Sequence, residues 1–212
     1  MSVECYLSVM TREEQKQETY KHLKLSCIDV INDIGIKDIQ VKDIIANAGV
    51  ARGTFYFHFE DKEAILEDIL QDYNRFLVKT LSSILKKFNN HSGRKILEQI
   101  ADEVITFLET NTVFIHVYLE QMTSGKNVKR VRDGVNPELE SMLTIFFVEQ
   151  GSCDQTTAKL LTHSLMSMWM RVGLQYTLSS NLSRSKAIEA IVKISAGAIK
   201  SYVPSLTKYF IN

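Results

Sequence analysis

Residues 41–63 read VKDIIANAGVARGTFYFHFEDKE, and this stretch decides the fold. The segment Val41–Ala48 has the apolar spacing of a short helix, Gly49 predicts a tight turn, and a second short helix is predicted from Ala51 to about Phe57. Two helices this short, joined by a turn of about four residues, are typical of a helix-turn-helix unit.

A longer helix is predicted immediately before this pair. Thr11 and Glu14 have the spacing of a capping box, in which the hydroxyl and the carboxylate satisfy first-turn amides. Apolar residues then recur at helical spacing, and Gly35 ends the run. Three helices in about 50 residues predict a compact helical unit.

The apolar positions divide residues 41–63 into an inner and an outer face. Residues on the inner face can pack against the first helix, namely Val41, Ile44, Ile45, Ala48, Val50, Phe55 and Phe59. Polar residues of the last short helix are left outward-facing, namely Arg52, Thr54, Tyr56 and His58. The competing interpretation is a helical subdomain whose aromatic residues 55–59 are core and which makes no DNA contact.

The outward residues suit a helix that enters the major groove of DNA, whose N-terminal residues meet base edges. Arg52 can donate two hydrogen bonds to guanine or bind a phosphate, and Thr54 offers a methyl group or a hydroxyl. Gly53 permits close approach, and Tyr56 and His58 are predicted phosphate donors. Gln40, just before the first short helix, and Lys42, within it, are also predicted to contact DNA. Lys62 opens the next helix, where its ammonium and the free backbone amides can together bind a phosphate.

The pattern from Asp43 to Glu63 (D-I-x-x-x-A-G-V-x-x-G-T-F-Y-x-H-F-x-x-K-E) resembles the DNA-reading signature of TetR/AcrR regulators. The resemblance is dense from Thr11 to Lys62 and places residues 52–58 on a recognition helix, with Lys62 as a phosphate-binding lysine. It implies a homodimer on a palindromic operator, released from double-stranded DNA by a ligand. Gln40 and Ala51 depart from the usual Thr or Ser, which puts helix capping there in question.

The rest of the chain also reads as helical, so an all-α fold of about nine helices is predicted. We expect a DNA-binding domain over residues 10–60 and a ligand-binding and dimerisation domain over 61–212. Helices of the second domain are predicted over Lys62 to about Phe88, Arg94–Glu109, Thr112–Met122, Pro137–Gln150, about Gln155–Ser179 and Ser185–Tyr202.

Aromatic and sulfur-containing side chains recur along the middle and late helices, a composition suited to an adaptable apolar pocket. For any one of them, packing in a helix-bundle core is the competing interpretation. The resemblance implies a hydrophobic or amphipathic inducer, and the predicted ligand-binding residues are Phe76, Phe107, Phe114, Tyr118, Met122, Met142, Phe146, Met166, Trp169 and Met170.

The last two long helices carry apolar faces with small residues that allow close approach. The resemblance implies that these helices form a four-helix interface between two copies, whereas closure of the core of one copy is the alternative. The predicted interface residues are Leu161, Leu165, Met168, Val172, Ile188, Ile191, Val192, Ser195 and Ile199.

The amino-acid composition narrows the class of protein but does not by itself indicate DNA binding. Hydrophobic residues make up 45% of the chain, enough for a core without disulfides, metal or other cofactor. Lys+Arg and Asp+Glu both total 25, and residues 11–62 hold eight basic and nine acidic side chains, so geometry must gather the positive charge. No signal segment, membrane span or CxxC pair is seen, which favours a cytoplasmic protein without a membrane partner.

Three alternatives remain at this stage. His116 and Glu120 lie four residues apart on one predicted helix and could serve a metal-dependent enzyme, although no third ligand is apparent. The same architecture could also serve an activator, or an architectural protein that binds many genomic sites. A non-enzymatic, ligand-responsive repressor is the preferred interpretation.

Overall fold

The computed structural model describes residues 10–88, 92–123, 136–179 and 181–210, with side chains for all of these except residues 121–123. Nine α-helices and one 3-10 helix form this part of the chain, and no strand occurs in it, as predicted. The α-helices are α1 (Arg12–Ile34), α2 (Val41–Ala48), α3 (Arg52–His58), α4 (Lys62–Leu85), α5 (Gly93–Thr110), α6 (Thr112–Thr123), α7 (Pro137–Gly151), α8 (Gln155–Leu178) and α9 (Arg184–Tyr202), and the 3-10 helix is Pro204–Phe210.

Capping side chains define where several of the helices begin. The Thr11 hydroxyl accepts from the Glu14 amide at 3.2 Å, and the Glu14 carboxylate accepts from the Thr11 amide at 2.7 Å, which confirms the predicted capping box. The Asn136 side chain likewise caps α7 by accepting from the Leu139 amide at 3.0 Å. These bonds satisfy first-turn amides that a helix cannot satisfy itself.

Helix α7 extends one residue beyond the predicted Gln150 and ends at Gly151. Gly151 is still helical, and Ser152 takes the left-handed conformation with φ 48°. Gly151 is needed for packing, because a Cβ at this position would lie 2.3 Å from the Val203 side chain.

The chain divides into two compact units. The first comprises residues 10–71 and 116–120, and the second comprises residues 72–115 and 121–210 of the described chain. One boundary between these units falls inside α4, between Gln71 and Asp72. In the second unit, Trp169 is 4% exposed and its indole N–H donates to the buried Ser195 hydroxyl at 2.9 Å, joining α8 to α9.

Candidate DNA-binding site

The pair α2 and α3 is joined by a three-residue turn that begins at Gly49. This glycine has φ 62° and ψ 29°, the left-handed conformation that closes a helix, and its amide donates to the Ala46 carbonyl. A side chain at this φ would be strained, so the turn requires glycine. The predicted helix-turn-helix is therefore present at residues 41–58.

Helix α1 packs against the helix-turn-helix formed by α2 and α3. The imidazole of His22 lies 3.0 Å from the Ala48 carbonyl at the end of α2, a donor placed on an otherwise unpaired helix-terminal group. The Tyr20 ring stacks on Phe59 with centroids 5.1 Å apart. Phe55 is completely buried and Phe59 nearly so, which confirms both as core residues.

The outer face of α3 is accessible at its first turn. Arg52, Gly53 and Tyr56 are exposed, and the Arg52 guanidinium lies 5.5 Å from the centre of the Tyr56 ring. Apart from the backbone of α3 and the adjacent residues, no atom of the described residues lies within 4 Å of the position that a Cβ of Gly53 would take. Gly53 therefore leaves open space for an approaching surface rather than for a neighbouring helix of this unit.

Thr54 and His58 are half-buried on the same helix. His58 lies among aromatic rings, with Tyr20 at 6.0 Å and Phe57 at 5.0 Å between centroids. Burial, followed by the nearby charge of Lys16, lowers the pKa of His58 from its usual value. In the free protein the ring is therefore neutral at pH 7 and can donate one N–H to a phosphate.

The two unusual cap positions behave differently. Gln40 and Lys42 are exposed, and the Gln40 amide donates to the Asp43 carboxylate at 2.9 Å, so α2 keeps half of a capping box. Ala51 supplies only its backbone carbonyl to α3. The side chain of Gln40 is exposed, so its carboxamide is accessible from solvent.

The start of α4 is less open than the sequence suggested. Lys62 is half-buried, and the Asp61 carboxylate accepts from the Ala64 amide at 2.8 Å. One of the amides expected to hold an anion is thus already occupied by a carboxylate. An anion at this point would depend chiefly on the Lys62 ammonium.

Sequence reasoning missed an exposed aromatic residue and a cation beside it. Phe57 is 67% exposed, and the Lys16 ammonium of α1 lies 5.4 Å from its ring centre. The signal was available in the helical period, because Phe57 is two residues from each of the buried Phe55 and Phe59 and must face away from them. Lys16 joins Arg52 on the same compact unit, which begins to account for how a neutral chain gathers positive charge.

The predicted ligand-binding residues do not form one group. Phe76, Phe107 and Phe114 belong to an aromatic cluster with Tyr73, in which the Phe107 and Phe114 centroids are 5.0 Å apart. Burial raises the pKa of Tyr73. The others lie elsewhere: Met142, Phe146 and Met166 are half-buried against the main core, Trp169 is buried in it, Tyr118 and Met170 are half-buried, and the Met122 side chain is outside the described residues.

The predicted dimer interface requires correction at most of its positions. Six of its residues are at most 5% exposed within the single chain, so they stabilise the fold and have no surface left for a partner. These are Leu161, Leu165, Ile191, Val192, Ser195 and Ile199. Met168, Val172 and Ile188 are half-buried and pack against the same core.

The metal-site alternative gains no support from geometry. His116 is exposed and Glu120 is half-buried on α6. Across the described ranges, no group of three His, Cys, Asp or Glu side chains is placed to hold a metal ion. Nor does any helix in these ranges have the length and apolar character needed to cross a membrane.

Comparison with known proteins gives a consistent result. Residues 28–69 match the family model described as bacterial regulatory proteins, tetR family. The chain is 25% identical over 154 residues to the HTH-type transcriptional regulator BetI of Cronobacter sakazakii, covering 69% of this chain and 75% of that protein. It is 39% identical over 66 residues to the transcriptional repressor DhaR of a Mycobacterium species, covering 31% and 33%.

Solved structures share the fold across most of the chain. The fatty acid degradation regulator FadR of Bacillus halodurans superposes with a TM-score of 0.64 at 17% identity, covering 84% of this chain and 94% of that one. A TetR/AcrR-family transcriptional regulator of Aquifex aeolicus gives 0.62 at 14% identity, covering 82% and 96%. At these identities the likeness concerns the fold alone.

A short helix pair with a buried inner face and an accessible second helix defines a helix-turn-helix protein. Residues 28–69, which include this pair, are similar to the tetR family of bacterial regulatory proteins, and the chain as a whole is similar in sequence to a transcriptional regulator.

Proposed function

We propose that this protein is a cytoplasmic, ligand-responsive transcriptional repressor that binds a palindromic operator as a homodimer. The proposal is carried by the contrast between the buried Phe55 of α3, with Phe59 just after the helix, and the accessible face of α3 that presents Arg52, Gly53 and Tyr56. Because one face of α3 is fixed by packing, the helix can enter the major groove in a defined orientation and contact base edges.

The accessible residues divide by chemistry. Arg52 can make two hydrogen bonds to guanine, and its stacking near Tyr56 limits its freedom before DNA arrives. Thr54, Tyr56 and His58 are assigned to base-edge or phosphate contacts along the helix, with Gln40, Lys42 and Lys62 at phosphates. Lys16 adds a cation beside Phe57.

Dimerisation is proposed through exposed stripes of α8 and α9 rather than through their buried faces. On α9, Ile194 is 50% exposed. Beyond the nearby backbone of α9 and the residues adjacent to Gly197, nothing in the described part of the chain lies within 4 Å of a Cβ added at Gly197. On α8, Leu160 is exposed and is followed at helical spacing by Ser164 and Ser167. Small residues beside an exposed apolar one allow two helices to approach closely.

Regulation follows from two arrangements of the dimer. A ligand that binds one arrangement more tightly shifts the population toward it, and α4 is the element that runs from the first compact unit into the second. We propose that the ligand releases DNA by changing the spacing of the two α3 helices. Twofold symmetry sets that spacing near one DNA turn, about 34–36 Å, or a small multiple of it.

Genome-wide occupancy combined with deletion of the gene tests this role in the cell. A repressor is expected to occupy a few inverted repeats and to leave the adjacent genes more strongly transcribed when it is deleted. Lower transcription after deletion would identify an activator. Occupancy spread over very many sites without inverted repeats would contradict the proposal and favour an architectural DNA-binding protein.

A further inference from the structure

Phe57 is the most exposed large apolar side chain in the described part of the protein, with 67% of its surface accessible. It lies on α3 two residues after Phe55, which is completely buried and belongs to the core of the first compact unit. The Phe57 ring contributes little to that core, and its burial against a partner would be favourable. Phe57 is therefore a candidate contact residue.

Two neighbours limit the freedom of the Phe57 ring. The His58 ring meets it edge to face, with centroids 5.0 Å apart and an interplanar angle of 85°. The Lys16 ammonium of α1 lies 5.4 Å from the centre of the Phe57 ring. A ring held by such contacts loses less conformational entropy when it meets a partner than a freely rotating ring does.

Gly53 lies one helical turn before Phe57 on the same accessible face of α3. A Cβ added at Gly53 would meet nothing within 4 Å among the described residues, other than the backbone of its own helix and its two neighbours in the chain. The accessible face therefore has a recess at Gly53, with the apolar ring of Phe57 one turn further along the helix. Such a surface can accommodate a small apolar group.

We propose that Phe57, beside the recess at Gly53, reads the C5-methyl group of a thymine in the operator. Thymine is the base that presents a methyl group in the major groove, and phenylalanine is one of the apolar side chains suited to contact it. This inference rests on the proposed entry of α3 into the major groove. The cation beside the ring, Lys16, is then placed to bind a phosphate near the same base.

Replacement of thymine by uracil tests this assignment, because it removes the methyl group and leaves the base pairing and the phosphates unchanged. Duplexes that carry the inverted repeat selected by the protein are made with uracil at one thymine position at a time, and fluorescence anisotropy measures their affinities. At one position in a half-site, uracil should weaken binding of the wild type about fourfold, the effect of one lost methyl contact. Phe57→Ala should bind the thymine and uracil duplexes equally.

Tyr56→Phe is the matched control, because it alters the neighbouring exposed aromatic residue of α3 and keeps Phe57. This variant should weaken binding to every duplex and retain the fourfold preference for thymine over uracil. Cytosine at the same position should bind weakly, and 5-methylcytosine should recover about fourfold in the wild type but not in Phe57→Ala. Circular dichroism checks the fold of Phe57→Ala, which should be intact because the side chain is exposed.

The outcomes separate this inference from the proposed function on which it rests. Selective binding of the repeat with equal affinity for thymine and uracil at every position would overturn the assignment of Phe57. A thymine preference that survives in Phe57→Ala would also overturn it and would assign the methyl contact to another residue, such as the half-buried Thr54. Failure of the wild type to select any repeat would contradict the proposed repressor function, and this inference with it.

Discussion

Lys24 and Asp68 form an ion pair, with 2.7 Å between Nζ and Oδ2, that joins α1 to α4 within the first compact unit. The same ammonium lies 4.8 Å from the Tyr20 ring centre, and Tyr20 stacks on Phe59 just beyond α3. One small set of contacts therefore connects α1, α4 and the end of the proposed recognition helix. These contacts fix the orientation of α3 within the first compact unit.

The change Asp68→Asn should lower the free energy of unfolding by about 2 kcal/mol, because the Lys24 side chain is only 11% exposed and would keep a largely buried charge without its carboxylate. Urea denaturation measures the effect. The double variant K24M/D68L, which removes both charges, should recover most of the loss. Equal stability of D68N and the wild type would show that the pair contributes nothing.

Arg52→Ala should relax preference at one base position of the operator by about 1–3 kcal/mol. Competition binding with single-base operator variants measures this directly. A uniform loss of affinity on every sequence would instead identify Arg52 as a phosphate contact.

Lys62→Ala and Tyr56→Phe should weaken binding to all DNA sequences alike. Loss of the Lys62 cation should also reduce the slope of log affinity against log salt by about 1, because one fewer counterion is released. Lys186→Ala, an exposed lysine on α9, is the charge-matched control. An unchanged salt slope in Lys62→Ala would show that this ammonium contacts no phosphate.

Lowering the pH from about 7.5 to 6 should strengthen DNA binding through His58. Its pKa is lowered in the free protein by burial and then by Lys16, whereas a phosphate beside the ring would favour the protonated form, so binding takes up a proton. His58→Gln should abolish this part of the pH dependence. The free protein should respond oppositely and lose stability as the pH falls below 6.5, because folding disfavours the imidazolium.

Cys27 should make the fold less stable at high pH. Burial raises the pKa of its thiol from 9.0 to about 12, with Lys62 acting weakly in the other direction. Folding therefore favours the protonated thiol, and its stabilising contribution is complete below pH 9 and is lost as the pH rises toward 12. Denaturation between pH 8 and 10.5 should show a steeper decline for the wild type than for Cys27→Ala.

Ile194→Asp should convert the proposed dimer to a monomer without unfolding it, because the side chain is half exposed in the single chain. Sedimentation equilibrium measures the association, and circular dichroism checks the fold. Ile145→Asp on α7, an equally exposed isoleucine outside the proposed stripes, is the matched control. A dimer of unchanged affinity in Ile194→Asp would place the interface elsewhere.

The structure of the first compact unit could be predicted from the sequence because it depends on interactions between residues close together in the chain. Thr11 with Glu14, the left-handed Gly49 and the buried Phe55 each have a short-range cause, and each has the predicted role. Faces of the long helices were less predictable, because an apolar stripe has the same period whether it meets the core or a partner. Ile191 and Ser195 were therefore placed at an interface although they are core residues.

Tertiary proximity was the other limit. Phe107 and Phe146 are both aromatic residues of predicted helices, yet Phe107 contacts Tyr73 whereas Phe146 packs against Phe88. Nothing in the order of residues pairs Phe210 with Gly93, more than 100 positions earlier. Such contacts depend on how helices pack, which a single sequence does not specify.

The most direct test of the central claim is selection of bound duplexes from a random DNA pool by the purified protein at moderate salt. We expect recovery of an inverted repeat whose half-sites lie one helical turn, or a small multiple of it, apart. Arg52→Ala should recover the same repeat with one degenerate position in each half-site. If the ligand-free protein recovers DNA in which no sequence motif is enriched, sequence-specific operator binding is contradicted.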